Sequence, residues 1–264
     1  MESEWDNLLL LDACRYDMFQ NHNELEGNLK KIESMGSSTT EFLIGNFSDR
    51  VLHDTVYVTA NPQYYRHKDT INCEFHNVIH VWKDDGWDSE YQTVLPETVT
   101  EYARHAASEY NKKRLIVHYI QPHYPFLDSE VKFDKGQLYD PNNNKSFWAG
   151  LMTGKLSVKK SRIWELYENN LEHVLDSIRD LADTLDGRTV VTSDHGNMVG
   201  ERSFPIPIRE WGHPRGTHTR QLVEVPWLDL GGNNRKIVPD PPANQVDDQS
   251  TEVVTDRLES LGYK

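Results

Sequence analysis

The sequence predicts an α/β fold, a mostly parallel central sheet with helices on both faces, and three observations carry that prediction. Asn7-Leu8-Leu9-Leu10-Leu11-Asp12 has an apolar run and Thr189-Val190-Val191-Thr192-Ser193 a β-branched one, both of the kind seen in buried strands. Helical stretches alternate with runs of this type, the signature of parallel strands joined by crossovers. Each of these two runs also ends in side chains able to do chemistry: Asp12 after the first, Asp194-His195-Gly196 after the second. Open α/β sheets bind their ligands at that carboxyl edge.

The elements follow in order. The run at 7–12 is a central strand, and Asp12 either caps the helix beginning near Arg15–Phe19 or serves as a metal- or phosphate-handling group. Residues 21–35 read as a loop with a short strand near Leu29–Ile32. Met35-Gly36-Ser37-Ser38-Thr39-Thr40-Glu41-Phe42-Leu43 has the hydroxyls, the Glu and the apolar run of a helix N-terminus with a capping box. Such a terminus can hold an anion and stabilise an ionised hydroxyl, or its hydroxyl can be a cap and nothing more. Val56–Thr59 and Val78–Trp82 are strands, and Pro96–Tyr110 has helical spacing through Val99, Tyr102, Ala103 and Ala106. Leu115–Ile120 is again a strand. It leads to Gln121-Pro122-His123-Tyr124-Pro125-Phe126, where flanking prolines stiffen the loop and leave His123 either facing a ligand or packed.

Residues 128–160 are irregular, with a turn cluster at Asp140–Asn144, and read as an insertion or lid that shapes substrate choice. Ile163, Leu166, Tyr167, Leu171, Val174, Leu175, Ile178, Leu181 and Leu185 set out a long amphipathic helix, which places His173 at its surface or edge. Gly187 ends that helix and the strand at 189 follows. A bend permitted by Gly196 lets Asp194 and His195 turn toward one ion. After Asn197 a long loop is expected, dense in His and Arg between Arg209 and Arg220: either an anion-binding wall or a solvated loop. Leu222–Leu230 is a strand interrupted by Pro226, hence placed near an edge. The tail from about 236 is Pro/Asp-rich and expected to pack loosely, with a last helix over Thr251–Leu261.

The 264 residues show no Pro/Gly/Ser-rich linker, so one domain over 1–264 is expected. The 37% of hydrophobic residues suffices for a core, while a net charge of −14 argues against nucleic acid as partner. That charge also means an anionic substrate needs a locally positive site. It fits a salt-loving cytoplasm and an ordinary acidic soluble protein equally. Cys14 and Cys73 are too few for a disulfide framework and form no C-x-x-C, which favours reduced thiols. Leu8–Leu11 is too short for a signal peptide or a membrane span, so the expected location is cytoplasmic, with no span.

Taken together, Asp12, the hydroxyls at 37–40, His123 and Asp194-His195 resemble the alkaline phosphatase/sulfatase superfamily over most of the chain. Leu9–Arg15 resembles its opening strand and first metal-binding Asp. Ile116–Phe126 resembles the H-x-x-x-P-H-x-P-F segment whose second His, here His123, contacts the sulfate or phosphate. Tyr167–Asn197 resembles the long helix and T-S-D-H-G strand, and Gly212-His213 with Val225-Pro226 the closing G-H … V-P. Formylglycine sulfatases carry C-x-P-x-R at the nucleophile, which Ser37-Ser38-Thr39-Thr40-Glu41 lacks. The pattern is closer to the phosphotransferase branch that includes lipoteichoic-acid synthases. Their T-S-D-x-E-F aligns its Thr with Ser37, and a slip of two residues would bring Thr39 into that place.

The resemblance implies an alkaline-phosphatase-like fold and a metal-dependent hydrolase or transferase acting on a phosphate ester, or a sulfate ester, through a covalent Ser/Thr intermediate. The implied metal ligands are Asp12, Ser37, Asp194 and His195. Calcium-type sites have Asn where His195 stands, and imidazole favours zinc or manganese. One ion is favoured over two, because acidic partners for His213 and His218 are not evident. Ser37, with Thr39 behind it, is the expected nucleophile. His123 and His213 complete the catalytic set, and Arg15, Arg215 and Arg220 join His123 in binding substrate. The expected partner is a small-molecule, glycan- or lipid-linked phosphate or sulfate ester. The rival reading is an inactive sulfatase-like module that binds an anionic glycan or nucleotide sugar.

Overall fold

The apolar run at 7–12 becomes strand β1 (Asn7–Asp12), buried along its whole length. Its alternation divides the core. Leu9 and Leu11 face one side, with Val99 and Ala103 of helix α4 (Pro96–Glu109) and Leu171, Val174 and Ile178 of helix α6 (Lys160–Ala182). Leu8 and Leu10 face the other, with Phe42, Leu43 and Phe47 of α2 (Thr39–Phe47) and Tyr64 and Ile71 of α3 (Gln63–Ile71). A strand covered by helices on both faces has no wet side, which is why its sequence shows no polar alternation. The computed structural model describes residues 4–129, 147–202, 208–242 and 251–263.

The remaining elements are α1 (Tyr16–His22), β2 (Asn28–Glu33), β3 (Val51–Thr59), β4 (Glu74–His80), β5 (Arg114–Pro122), α5 (Phe147–Met152), β6 (Thr189–Ser193), β7 (Met198–Arg202), β8 (Arg209–Gly212), α7 (Arg220–Val223), β9 (Glu224–Gly231) and α8 (Thr251–Ser260). The main sheet runs β2-β9-β6-β1-β5-β3-β4. β1 lies between β5 and β6, parallel to both, with Leu8 opposite Ile116 on one side and Val190 on the other. β9 is antiparallel to β6 and β2. The architecture is thus the mixed α/β one expected, and its registers bring the carboxyl ends of β1, β5 and β6 side by side.

Four local readings are refined or changed. Pro226 lies near an edge but not on it: β9 is the strand next to the polar edge strand β2. The proline is tolerated because the β6–β9 ladder ends at Thr192–Trp227, and the Pro226 carbonyl accepts from the Thr192 hydroxyl at 2.6 Å. The loop after Asn197 contains the β7–β8 hairpin, which short segments interrupted by Gly200 concealed. β4 begins earlier than its apolar end suggested, and Val81 and Trp82 are buried beyond it. The start of the tail is held in place: the Lys113 ammonium donates to the Val238 carbonyl and pairs with Asp240, both at 2.8 Å. Of the expected lid at 128–160, residues 130–146 lie outside the described residues, as do 243–250 of the tail.

Candidate active site

The strand ends deliver their polar residues to one buried place. Asp12 ends β1, His118 lies near the end of β5, Asp194 and His195 follow β6, and Thr39 is the first residue of α2. All five are essentially inaccessible to solvent. Asp12, His118 and Asp194 each present a ligand atom within 4.8 Å of the others. His195 Nε2 lies 3.6 Å from Asp12 Oδ1, 3.4 Å from Asp194 Oδ2 and 3.2 Å from Thr39 Oγ1.

Each carboxylate is held by one oxygen and leaves the other free. Asp194 Oδ1 accepts the backbone N–H groups of Ala13 at 3.0 Å and His195 at 2.8 Å. Ala13 adopts φ +60° to make that contact, an unfavourable conformation for a residue with a Cβ. Asp12 Oδ2 accepts the Asn61 side-chain amide at 2.6 Å and the Tyr263 hydroxyl. Asp12 Oδ1, Asp194 Oδ2 and His118 Nε2 are buried with no hydrogen-bond partner among the described residues.

The ring of His195 follows the same rule. Its Nδ1 lies 2.7 Å from the Gly196 carbonyl, which can only accept, so Nδ1 carries the proton and Nε2 presents a lone pair. A lone pair facing two unpartnered carboxylate oxygens in a dry interior is repulsive unless a cation or a proton lies between them. Burial first, and then the Asp194 carboxylate, push the Asp12 carboxyl well above its usual range. Burial likewise pushes the His118 imidazole down to about 4.

These donors fit a divalent cation. In a tetrahedral site with bonds of about 2.0–2.2 Å, ligand atoms stand about 3.3–3.6 Å apart, close to the spacings around His195 Nε2. Two carboxylates, an imidazole and a hydroxyl suit zinc or manganese better than calcium.

Beside this cluster, His123 Nε2 and His213 Nε2 are 2.9 Å apart, which requires one of them to donate. His123 Nδ1 faces the Tyr124 carbonyl and must carry its proton, so His213 donates and His123 accepts. Burial pushes His123 down to about 4, and burial with the neighbouring histidines puts His213 well below its usual value. A cleft of about 340 Å³ opens from here, with Thr39, Gln63, Trp148, His213, Arg215 and Tyr263 in its wall.

Of the other expected site residues, Ser37, Arg15 and Arg220 have partners outside the cluster. The Ser37 hydroxyl donates to the Glu41 carboxylate at 2.8 Å and toward the Pro214 carbonyl at 3.1 Å, and the Ser37 N–H also donates to Glu41. Ser37 therefore orders the start of α2, and Thr39 is the hydroxyl that meets the carboxylate–histidine cluster. Arg15 is bound to Asp17 at 2.6 Å and Glu201 at 2.9 Å and lies over the Trp164 ring, leaving little of it for a substrate. Arg220 is an exposed partner of Glu224. Arg215 does reach the cleft, donating to the Thr40 hydroxyl at 2.9 Å. Gly196 serves a close approach: a Cβ there would stand 2.0 Å from the Gln221 carbonyl oxygen. His118, Asn61 and Tyr263 were not among the expected site residues. His118 is the first His of H-x-x-x-P-H and Asn61 follows a strand, whereas nothing local distinguishes Tyr263.

No protein-family model matches the sequence, and no curated protein does. Solved structures do. The C-terminal periplasmic domain of EcEptC from Escherichia coli, in complex with Zn, is similar with a TM-score of 0.56 and 14% identity, over 89% of this chain and 74% of that one. The soluble domain of lipooligosaccharide phosphoethanolamine transferase A from Neisseria meningitidis gives 0.53 at 12% identity, over 84% and 75%. An alkaline phosphatase superfamily protein from Vibrio parahaemolyticus gives 0.50 at 11% identity, over 100% and 67%. These likenesses are of fold, and the fold is alkaline-phosphatase-like. No helix among the described residues is long and apolar enough to cross a membrane.

Proposed function

We propose that this chain cleaves or transfers a phosphate ester through a covalent Thr39 intermediate, with one divalent cation, zinc or manganese, held by Asp12, Asp194, His195 and Thr39. The observation that carries the proposal is that Asp12 Oδ1 and Asp194 Oδ2, buried without hydrogen-bond partners among the described residues, stand 3.6 and 3.4 Å from His195 Nε2, which also meets the Thr39 hydroxyl at the first turn of α2. A cation bound there supplies charge neutralisation and Lewis acidity, lowering the pKa of a hydroxyl it contacts and polarising the phosphoryl group. Thr39 Oγ1 attacks phosphorus, and its bond forms as the bond to the departing alcohol oxygen breaks, while the hydroxyl proton leaves to solvent. First-turn N–H groups of α2 face the phosphoryl oxygens. His213 Nε2–H, which donates to His123 Nε2 at 2.9 Å, leaves that bond to donate to the same group. The anionic ester raises the depressed histidine pair and lets it protonate the departing oxygen. Water or a second alcohol then attacks the Thr39-bound phosphorus and restores the hydroxyl. Similarity to a lipooligosaccharide phosphoethanolamine transferase supports a lipid- or glycan-linked ester as substrate.

Two variants assayed on aryl phosphomonoester, phosphodiester and sulfate substrates with added zinc or manganese test this. Thr39→Ala is expected to lower turnover by roughly 10⁴-fold or more and to abolish the covalent adduct seen by intact mass. Ser37→Ala is expected to stay within about tenfold of the parent, since it loses only an ordering contact at the helix start. Full activity in Thr39→Ala sinks the assignment. No turnover of any ester, with tight binding of an anionic glycan or nucleotide sugar, would support the non-catalytic module instead.

A further inference from the structure

Tyr263 is remote in sequence from every motif described above, yet its hydroxyl lies at the centre of the site. The hydroxyl donates to Asp12 Oδ2, lies 2.9 Å from the Asn61 side-chain nitrogen and 3.4 Å from Thr39 Oγ1. Its ring stacks on His123, with centroids 5.0 Å apart and planes within 7°. The placement is built by the preceding helix. Val254, Leu258 and Leu261 of the C-terminal segment are buried in the α4–α6 side of the core, and the Arg257 guanidinium lies 4.3 Å over the Trp87 ring. After α8, the Tyr263 N–H donates to the Leu258 carbonyl at 2.9 Å and the Gly262 N–H to the Glu259 carbonyl at 3.0 Å. With Gly262 at φ +81°, these two bonds form a Schellman turn that directs Tyr263 inward.

We propose that Tyr263 is a positioning residue of the cation site: its hydroxyl moors the outer oxygen of Asp12 so that the inner oxygen faces His195 and Asp194, and docking of the C-terminal helix thereby completes the site. The proposal rests on the cation reading of the preceding section. Partners that hold a ligating carboxylate typically govern metal affinity 10- to 100-fold. Linkage makes the effect reciprocal: whatever the docked tyrosine adds to cation affinity, the cation returns to the docking of α8. The phenol acts as a neutral donor, because burial first, and then the Asp12 and Asp194 carboxylates, hold it well above the usual tyrosine range.

Tyr263→Phe keeps the ring on His123 and removes only the donor, so it separates positioning from packing. Zinc affinity is measured on the full chain by competition with a chromophoric chelator, and hydrogen exchange of the 258–263 amides is followed with and without zinc. The wild type is expected to bind zinc and to show slower exchange at these amides when zinc is present. Tyr263→Phe is expected to bind zinc at least tenfold more weakly and to lose most of that zinc-dependent slowing. A phenylalanine variant that binds within twofold of a zinc-binding wild type overturns the proposal and leaves the cation reading standing. A wild type that takes up neither zinc nor manganese overturns both. If the variant does not fold, the wild type decides: zinc-independent exchange at Leu261–Tyr263 in zinc-binding protein overturns the proposal.

Discussion

Two sets of polar contacts, one around the cluster of Asp12, Asp194 and His118 and one outside it, differ in one respect. In the outer one, every charge has found a partner: Arg15 with Asp17 and Glu201, Glu41 with Ser37 and the Gly216 N–H. In the inner one, Asp12, Asp194 and His118 each bury an atom that has no hydrogen-bond partner among the described residues. Residue type does not separate the networks, since both mix carboxylates with hydroxyl or cationic groups. Satisfaction does. A partnered buried network stabilises a shape, whereas an unpartnered one lowers stability until something else arrives.

The sharpest way to break that contrast is Asp194→Asn. The amide keeps the oxygen that accepts from Ala13 and His195 and places an N–H where a bare oxygen faced the His195 lone pair. Activity is expected to fall at least 100-fold with loss of cation binding. The cation-free protein, in contrast, is expected to gain about 1–3 kcal/mol, seen as a melting temperature about 2–10 °C higher. A lower melting temperature in the chelated variant would mean that the inner network is already satisfied.

Cation removal should have the next largest effect on stability. At free zinc of about 100 times Kd, binding adds about 2.7 kcal/mol, which for a chain of this length is roughly 5–10 °C in calorimetry, reversed by chelator. Unchanged melting with and without zinc counts against the site. The outer network supplies the smallest expected effect on activity and an effect of the opposite sign on stability. Arg15→Ala is expected to cost about 1–3 kcal/mol in denaturant unfolding with KM unchanged within about threefold. A large rise in KM with stability intact would return Arg15 to the substrate.

Much of this was legible in the residues. The uninterrupted apolarity of 8–11 and the β-branched run of 189–192 announced inner parallel strands, and strand ends announced Asp12, Asp194 and His195 as neighbours. What was not legible depended on contacts distant in sequence. Ser37 and Thr39 look interchangeable in a row of hydroxyls. Only the Glu41 and Pro214 acceptors, one of them 177 residues away, show which is occupied. Arg15 looked available because Glu201 lies in a hairpin that its short segments hid. Pro226 placed its strand near an edge, but which neighbour covers β9 depends on β2, nearly two hundred residues earlier.

β1 is at once the middle of the core and the carrier of Asp12. Its leucines are clamped between two helical layers, so the carboxylate inherits the tolerances of that packing with no flexible linker to absorb error. A misplacement of 1 Å at a reacting group can lower a rate by about 100-fold, far more than the same shift costs in unfolding. Conservative reshaping at Leu10 or Leu11 should therefore register as lost chemistry in a protein that still folds, and the central strand works as a gauge that sets the site from within.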